Sequence, residues 1–565
     1  MFEAIASERT RLAGQGLALA TVDALCPEME ARLHAVEILA SCDSVEKDVS
    51  KGRLVAIVGG GLSGCEAARL HAAEGASVIV LEKRIAYGGV WATTANTASR
   101  VQVDPVSFRP LHDSSPLPDD DESDPFGSFY RSRADVLDQL ASDIEGANLI
   151  ARTVFGVHVE SFDHTDDGKV AVTVAVDDGT CAIAVFDELH IRTGSLTDHV
   201  GGATALGLDD VSFGGKVARG IADDVASSEL ADADVVIVGL GAFAVENVRR
   251  SLAAGAKSIT VLTRRADKLL FPEAATYVLR HALNQTAAAE LGQAQLDAMW
   301  ARVHGLVATG AAAAGLSDLL LNPDTVVEID GLPHFVFSNG LPAMSSNVVF
   351  LGAAYGLVTI FVDEIAAFAS NGLVTKTGRE LPADVVLTCL GFGTRDSLLA
   401  GHTVTDAWFV DGRVTVTHNL RGDRVNGANV IGPRVDASNF LISYYEDAVE
   451  YERTIRSMCD DESREIYHEI ACMEPISTPA AVDDVDYFTT LVLSNKLERC
   501  SAPRIAAILD DNRDKRVALY DLVLPDWTFW ERDAAAWDRM ARELAGRVGK
   551  DVIPYPGWHW DNMLS

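Results

Sequence analysis

Leu54-Val55-Ala56-Ile57-Val58-Gly59-Gly60-Gly61-Leu62-Ser63-Gly64 is the stretch on which the fold turns. A short apolar, largely β-branched run is what a strand buried on both faces of a parallel sheet requires. It runs directly into Gly59, Gly61 and Gly64, spaced as GxGxxG. An Ala-rich, helix-forming segment follows to Gly75, and a second apolar strand, Ser77-Val78-Ile79-Val80-Leu81, ends in Glu82. Strand, glycine turn, helix, strand and acid make a complete βαβ unit. The first glycine permits the tight turn and the second lets backbone approach a pyrophosphate. The third lets the helix pack on the strand, and phosphates then sit on the helix N-terminus. Glu82, 23 residues after Gly59, is spaced to accept hydrogen bonds from ribose hydroxyls. Glycine turns are common, but here strand, helix and acid all agree with dinucleotide binding.

The pattern recurs. Val235-Val236-Ile237-Val238 runs into Gly239-Leu240-Gly241-Ala242-Phe243-Ala244, a helix leads to Gly255, and Ser258-Ile259-Thr260-Val261-Leu262 ends in Thr263-Arg264-Arg265. Ala244 replaces the last glycine. Arg264 and Arg265 stand where an acid would otherwise be, and a guanidinium matches a 2′-phosphate that a carboxylate would repel. They read as NADPH ligands, with plain surface charge as the alternative.

Around these units the chain has 565 residues, enough for two to four domains, with 48% hydrophobic and 23% charged residues. The 82 acidic against 47 basic residues give a net charge of −35, which disfavours nucleic acid and anionic lipid as partners. The eight cysteines include no CxxC pair, which argues against a zinc ribbon and a redox dithiol and fits a reducing cytoplasm. Neither a signal peptide nor a membrane span is expected; the longest apolar run, Val348 to Val362, is broken by Gly352, Gly356 and Thr359. Pro116-Leu117-Pro118-Asp119-Asp120-Asp121-Glu122 reads as a solvated acidic loop rather than a cation site, and no metal is expected. Residues 1–50 read as a helical extension with Leu33, Val36 and Ala40 in helical spacing, Thr286 to Leu316 as helix, and residues beyond about 455 as a charged, Trp-rich helical tail.

Two dinucleotide sites without a dithiol imply hydride passing from NADPH to a flavin. After Glu82, Lys83 and Arg84 come Gly88-Gly89-Val90-Trp91 and Asn96-Thr97-Ala98-Ser99-Arg100. Here the sequence resembles the class B flavin-dependent monooxygenases, within them the flavin-containing monooxygenase branch. Further marks are Phe186-Asp187-Glu188-Leu189-His190-Ile191-Arg192-Thr193-Gly194 and Asp384-Val385-Val386-Leu387-Thr388-Cys389-Leu390-Gly391-Phe392, and the resemblance covers roughly residues 52–455. It implies an α/β fold with two Rossmann-type domains, the NADPH domain inserted in the FAD domain. The expected division is an extension over 1–50, the FAD domain over 51–200 and 336–455, the NADPH domain over 201–335 and a second extension over 456–565. FAD would be held at Gly59, Gly61, Ser63, Gly64, Glu82, Lys83, Gly89, Val90, Trp91 and Val154, and NADPH at Gly239, Gly241, Ala244, Arg264 and Arg265. The resemblance places Asn96 beside the flavin C4a-hydroperoxide, as the catalytic residue that stabilises it while water is excluded. From the residues alone, Asn96 reads equally as a turn or cap asparagine and Trp91 as core packing.

The family's FxGxxxH motif, with an aromatic four residues on, is altered. Phe213-Gly214-Gly215-Lys216-Val217-Ala218-Arg219 keeps the phenylalanine and second glycine, but Arg219 replaces the histidine and Asp223 the aromatic. This disfavours the Baeyer–Villiger branch and leaves the roles of Arg219 and Asp223 open. The leading expectation is a cytoplasmic monooxygenase oxygenating a nucleophilic nitrogen or sulfur of a small molecule with O2 as co-substrate; a homo-oligomer stays open. A halogenase or aromatic oxidase on the same scaffold is the alternative, with Lys216 as a candidate relay. A third is a non-catalytic flavin-binding sensor. Tyr444 and Tyr445 are candidates near the flavin or in the core.

Overall fold

The computed structural model describes residues 2–28, 53–101, 123–128, 130–176, 181–193, 198–208, 213–264, 270–275, 293–323, 325–329, 331–338, 344–393, 414–416, 428–431 and 526–556. Leu33, Val36, Ala40, the Pro116–Glu122 loop, Arg265, Tyr444, Tyr445 and residues 456–525 lie outside the described residues.

Two parallel sheets of five strands carry the two glycine turns. The first runs in the order Val414–Val416, Glu188–Ile191, Leu54–Val58, Ser77–Glu82, Thr153–Phe155. The second repeats the plan as Lys216–Ala218, Val385–Thr388, Asp234–Val238, Ser258–Thr263, Val358–Val362. Each central strand leads into its glycine turn, the arrangement of a doubly wound nucleotide-binding fold.

Strand side chains alternate between faces. Val55 and Ile57 point to a helical layer, where they pack with Cys65, Ala68, Val136 and Leu140. Ala56 and Val58 point the other way and meet Val159, Phe162 and Val172 of an antiparallel meander, Val157–His164, Val170–Val176 and Cys181–Phe186. The second sheet is layered alike. Val235 and Ile237 pack on helices. Val236 and Val238 pack on Ile365, Phe368 and Leu373 of the meander Ile365–Ala369, Gly372–Thr375, Glu380–Pro382. Burial on both faces is why these strands read as unbroken apolar runs. In both units an aspartate just before the strand that follows the meander also holds the first backbone N–H of the central strand. Asp187 Oδ2 accepts from Leu54 N at 2.8 Å and Asp384 Oδ2 from Asp234 N at 2.9 Å.

The sequence reading ends the second unit at 335, but its sheet takes strands as far as Val385–Thr388. The alternating segment after 363 is the second unit's own meander, the counterpart of residues 157–186, and nothing in its composition marks which sheet it serves. Among the described residues the chain regains the first sheet at Val414–Val416. On the way out Asp198–His199 pairs antiparallel with Phe392–Gly393 on the way back, so the two crossings form one short ribbon.

The N-terminal helices Phe2–Gly14 and Leu19–Leu25 are built into the first unit, where Ile5, Leu12, Val22 and Leu25 share a core with Tyr87, Trp91 and Leu137. The C-terminal helix Asp526–Val548 joins the second unit through Phe529, Trp537, Met540 and Leu544. Its Asp533 is fully buried and accepts from Asn347 Nδ2 at 2.8 Å and from Tyr555 Oη at 2.6 Å. Nearby, Glu273 accepts from Ser128 Oγ at 2.9 Å and faces Arg249 at 3.4 Å. Among the described residues no helix is long and apolar enough to cross a membrane.

Burial, and then the charge of Glu273, push the Asp533 carboxyl up to about 7. A carboxyl raised in the folded state binds more protons folded than unfolded, so this group's contribution to stability falls as pH rises from its unfolded value toward 7 and levels off above it. Asp533→Asn is therefore expected to flatten the decline of unfolding midpoint between pH 5 and 8 and to raise the midpoint at pH 8, measured by scanning fluorimetry across pH.

Candidate functional site

Both glycine turns are shaped by the same close approach. Gly59 has φ +108°, and a Cβ there would lie 2.4 Å from the Arg192 carbonyl oxygen. Gly239 has φ +110°, and its Cβ would lie 2.3 Å from the Cys389 carbonyl oxygen. Only glycine meets both conditions, a left-handed backbone and a carbonyl in van der Waals overlap with any side chain. A Cβ at Gly64 would fall 1.8 Å from the Gly59 oxygen, so the first helix lies directly on its own turn. Ala244, fully buried, stands at that position in the second unit.

The helices Leu62–Ala73 and Ala242–Ala253 start after Gly61 and Gly241, and neither has a side-chain cap. The first-turn amides of a helix then need an outside acceptor, and the helix dipole favours an anionic one. A Cβ at Gly241 would meet nothing within 4 Å among the described residues. At the first turn Gly89 closes in, a Cβ on it being 3.1 Å from Gly61 Cα. Gly88 N donates to Gly60 O at 2.9 Å, which docks the short helix Gly89–Thr93 on the turn.

Glu82 is buried at the end of its strand. Its carboxylate accepts from Gly60 N and, at 2.7 Å, from Arg84 N. Burial raises its pKa, opposed by those two backbone hydrogen bonds. Its position beside the turn suits a ribose acceptor. Ser63 and Val90 are half-buried, Lys83 is exposed, and Trp91 is buried with its carbonyl accepting from Arg133 Nε at 2.7 Å. The Val154 side chain packs in the core between sheet and meander, which leaves its backbone as the part available to a nucleotide.

At the second turn, Gly239 N donates to Leu262 O as Gly59 N does to Leu81 O. Thr263 is therefore the counterpart of Glu82, and Arg264, which is exposed, is the counterpart of Lys83. The sequence reading put the arginine in the acid's place; the register shows it one residue further on.

Asn96 is completely buried. Its Oδ1 accepts from Ala98 N at 3.0 Å and Ser99 Oγ at 3.2 Å, which fixes the amide, while its buried Nδ2 has no partner among the described residues. A donor held in place and left unpaired costs free energy unless a ligand takes it. The Oδ1 contacts are those of the turn reading of Asn96.

Sequence reasoning missed a cluster at the second turn. The His199 ring lies edge-on to Phe392 at 5.2 Å, and Phe392 lies 5.3 Å from Phe243. Burial and then the Arg219 guanidinium lower the His199 pKa. The histidine enters this cluster from the ribbon, beside Phe392, and no linear spacing signals it. Cys389, buried beside Gly239, is pushed up to about 12 by burial and stays a thiol. Lys216 Nζ is held by both oxygens of Glu229 at 2.9 Å.

Residues 57–119 match the family described as an NAD(P)-binding Rossmann-like domain. The flavin-containing monooxygenase FMO GS-OX-like 2 of Arabidopsis thaliana is 46% identical over 63 residues, 11% of this chain and 13% of that protein. The chain thus matches about an eighth of that relative's length. Among solved structures, an oxidized steroid monooxygenase bound to NADP is 16% identical, with 66% of this chain and 74% of that one covered and a TM-score of 0.43. A cyclohexanone-bound cyclohexanone monooxygenase in the rotated conformation is also 16% identical, with 83% and 97% covered and a TM-score of 0.48. The expected Rossmann-type fold is borne out, and so is the resemblance to flavin-containing monooxygenases over those 63 residues.

Gly64→Ala forces the helix off its turn, and the purified variant is expected to lose bound dinucleotide and melt several degrees lower, whereas Ala244→Gly changes the midpoint by only a degree or two. Scanning fluorimetry and the spectrum of nucleotide released on denaturation check both.

Proposed function

We propose that the protein is an NADPH- and O2-dependent flavoprotein monooxygenase that oxygenates a nucleophilic nitrogen or sulfur of a small molecule. The observation that carries this is Asn96, just beyond the Gly88–Trp91 segment, buried, locked through its Oδ1 and left with an amide donor unpaired among the described residues.

The chain's residues fit the two nucleotides. FAD would lie on the Gly59–Gly64 turn with its ribose on Glu82 and backbone contacts at Gly89 and Val154, and NADPH on the Gly239–Gly241 turn with Arg264 toward a 2′-phosphate. A bound flavin accepts hydride from the nicotinamide and activates dioxygen. The uncapped helix N-termini bind the pyrophosphates, and the Asn96 amide offers one oriented hydrogen bond. An electrophilic oxygen needs a soft nucleophile rather than an acid–base pair, which supports nitrogen or sulfur as the target.

The halogenase reading needs a free lysine, and the Lys216 ion pair with Glu229 weighs against it. The sensor reading predicts FAD binding without bleaching by NADPH.

The test mixes the purified protein with one equivalent of NADPH in aerated buffer on a stopped-flow instrument. A near-ultraviolet species that persists before oxidised flavin returns is expected, and Asn96→Ala should shorten its life by roughly tenfold to a hundredfold. Prompt reoxidation with stoichiometric peroxide, with amines and sulfides present, overturns the reading. In steady state, Arg264→Ala should raise KM for NADPH by roughly tenfold while leaving kcat and the KM for NADH near their starting values.

A further inference from the structure

Asp223, which stands where the linker motif has an aromatic, is the meeting point of three parts of the molecule. Its Oδ1 accepts from Thr97 Oγ1 at 3.0 Å and from Thr97 N at 3.3 Å, one residue from Asn96. The same oxygen faces Arg250 Nε at 3.2 Å, on the buried side of the helix that begins at the second glycine turn. Its Oδ2 accepts from Gln15 Nε2 at 3.0 Å, just after the N-terminal helix. Gln15 Oε1 in turn accepts from Arg11 and Arg133, each at 2.8 Å. These two arginines hold the Ala92 and Trp91 carbonyls at 2.9 and 2.7 Å, at the end of the Gly89–Thr93 helix.

The backbone agrees. Ala222 N donates to Thr94 O, and Ala222 has φ +49°, a left-handed conformation that a residue with a Cβ keeps only when its surroundings hold it. The linker is thus pinned onto the loop that carries Asn96.

We propose that Asp223 is a positioning residue whose single carboxylate holds the Asn96 turn, and through Gln15 the Gly89–Thr93 helix, against the second nucleotide unit. An aromatic at this position would pack; a carboxylate instead accepts from the Asn96 turn and from Gln15 while facing the Arg250 guanidinium of the second unit. The N-terminal helix then belongs to the site's framework rather than being an appendage. That Asn96 matters for turnover rests on the function proposed above; that Asp223 holds its turn does not.

Hydrogen exchange read by mass spectrometry on the purified full-length protein tests it. Asp223→Ala is expected to speed exchange in the 94–101 segment roughly tenfold while the 54–58 strand keeps its protection. Asp223→Asn keeps an acceptor for Thr97 but loses the charge facing Arg250, and should fall between the two. Thr97→Val, which removes one exposed hydroxyl, should loosen the same segment severalfold and serves if Asp223→Ala does not fold. In turnover, the share of NADPH oxidised that appears as peroxide should rise in the same order, Asn below Ala. Unchanged exchange at 94–101 in folded Asp223→Ala, or equal acceleration at 54–58, overturns the proposal. If the native protein oxidises no NADPH, the monooxygenase reading fails, and the exchange data still decide the role of Asp223.

Discussion

The backbone contact between each turn glycine and the strand beyond the meander is the constraint on which the rest depends. The Arg192 carbonyl and the Cys389 carbonyl press on Gly59 and Gly239 so closely that no Cβ fits. That contact sets the depth of each turn, and the turn's depth sets where the following helix begins. From the helix start follow the uncapped amides and the strand end that carries Glu82 in one unit and Thr263 in the other.

The two units are built on one plan, down to the aspartates that tie the central strand at Asp187 and Asp384. Their differences are therefore informative. Gly89 closes over the first turn, whereas among the described residues nothing lies within 4 Å of a Cβ at Gly241. The first strand end carries an acid, the second a threonine followed by an arginine. Under the function proposed above, the first turn would suit a retained flavin and the second an exchanging nicotinamide. Contacts between the two units include the ribbon of Asp198–His199 with Phe392–Gly393, the Ser128–Glu273 hydrogen bond, and the Asp223 carboxylate between Thr97, Arg250 and Gln15.

Much of the candidate site was legible because its residues are local. Gly59, Gly61, Gly64 and Glu82 declare themselves by spacing, since a βαβ unit is a short-range structure with a fixed period. The second turn was equally plain, but the place of Arg264 was off by one, because strand register is set by pairing with neighbours that no local window contains. The end of the second unit was misplaced for a similar reason. A meander looks the same whichever sheet it covers, and it is the tie from Asp384 to Asp234 that assigns it.

By itself the sequence determined the two glycine turns, the buried parallel strands and the helices between them, because hydrophobic periodicity and the φ requirement of glycine act within a few residues. It also carried the Asn96 segment, though not its meaning. Only the tertiary structure decided that Asn96 is buried with its Nδ2 unpaired among the described residues, that His199 lies against Phe392, and that Asp223 joins Gln15, Thr97 and Arg250. Those relations link residues as far as 208 positions apart, and a hydrogen bond depends on distance in space, which sequence separation does not encode.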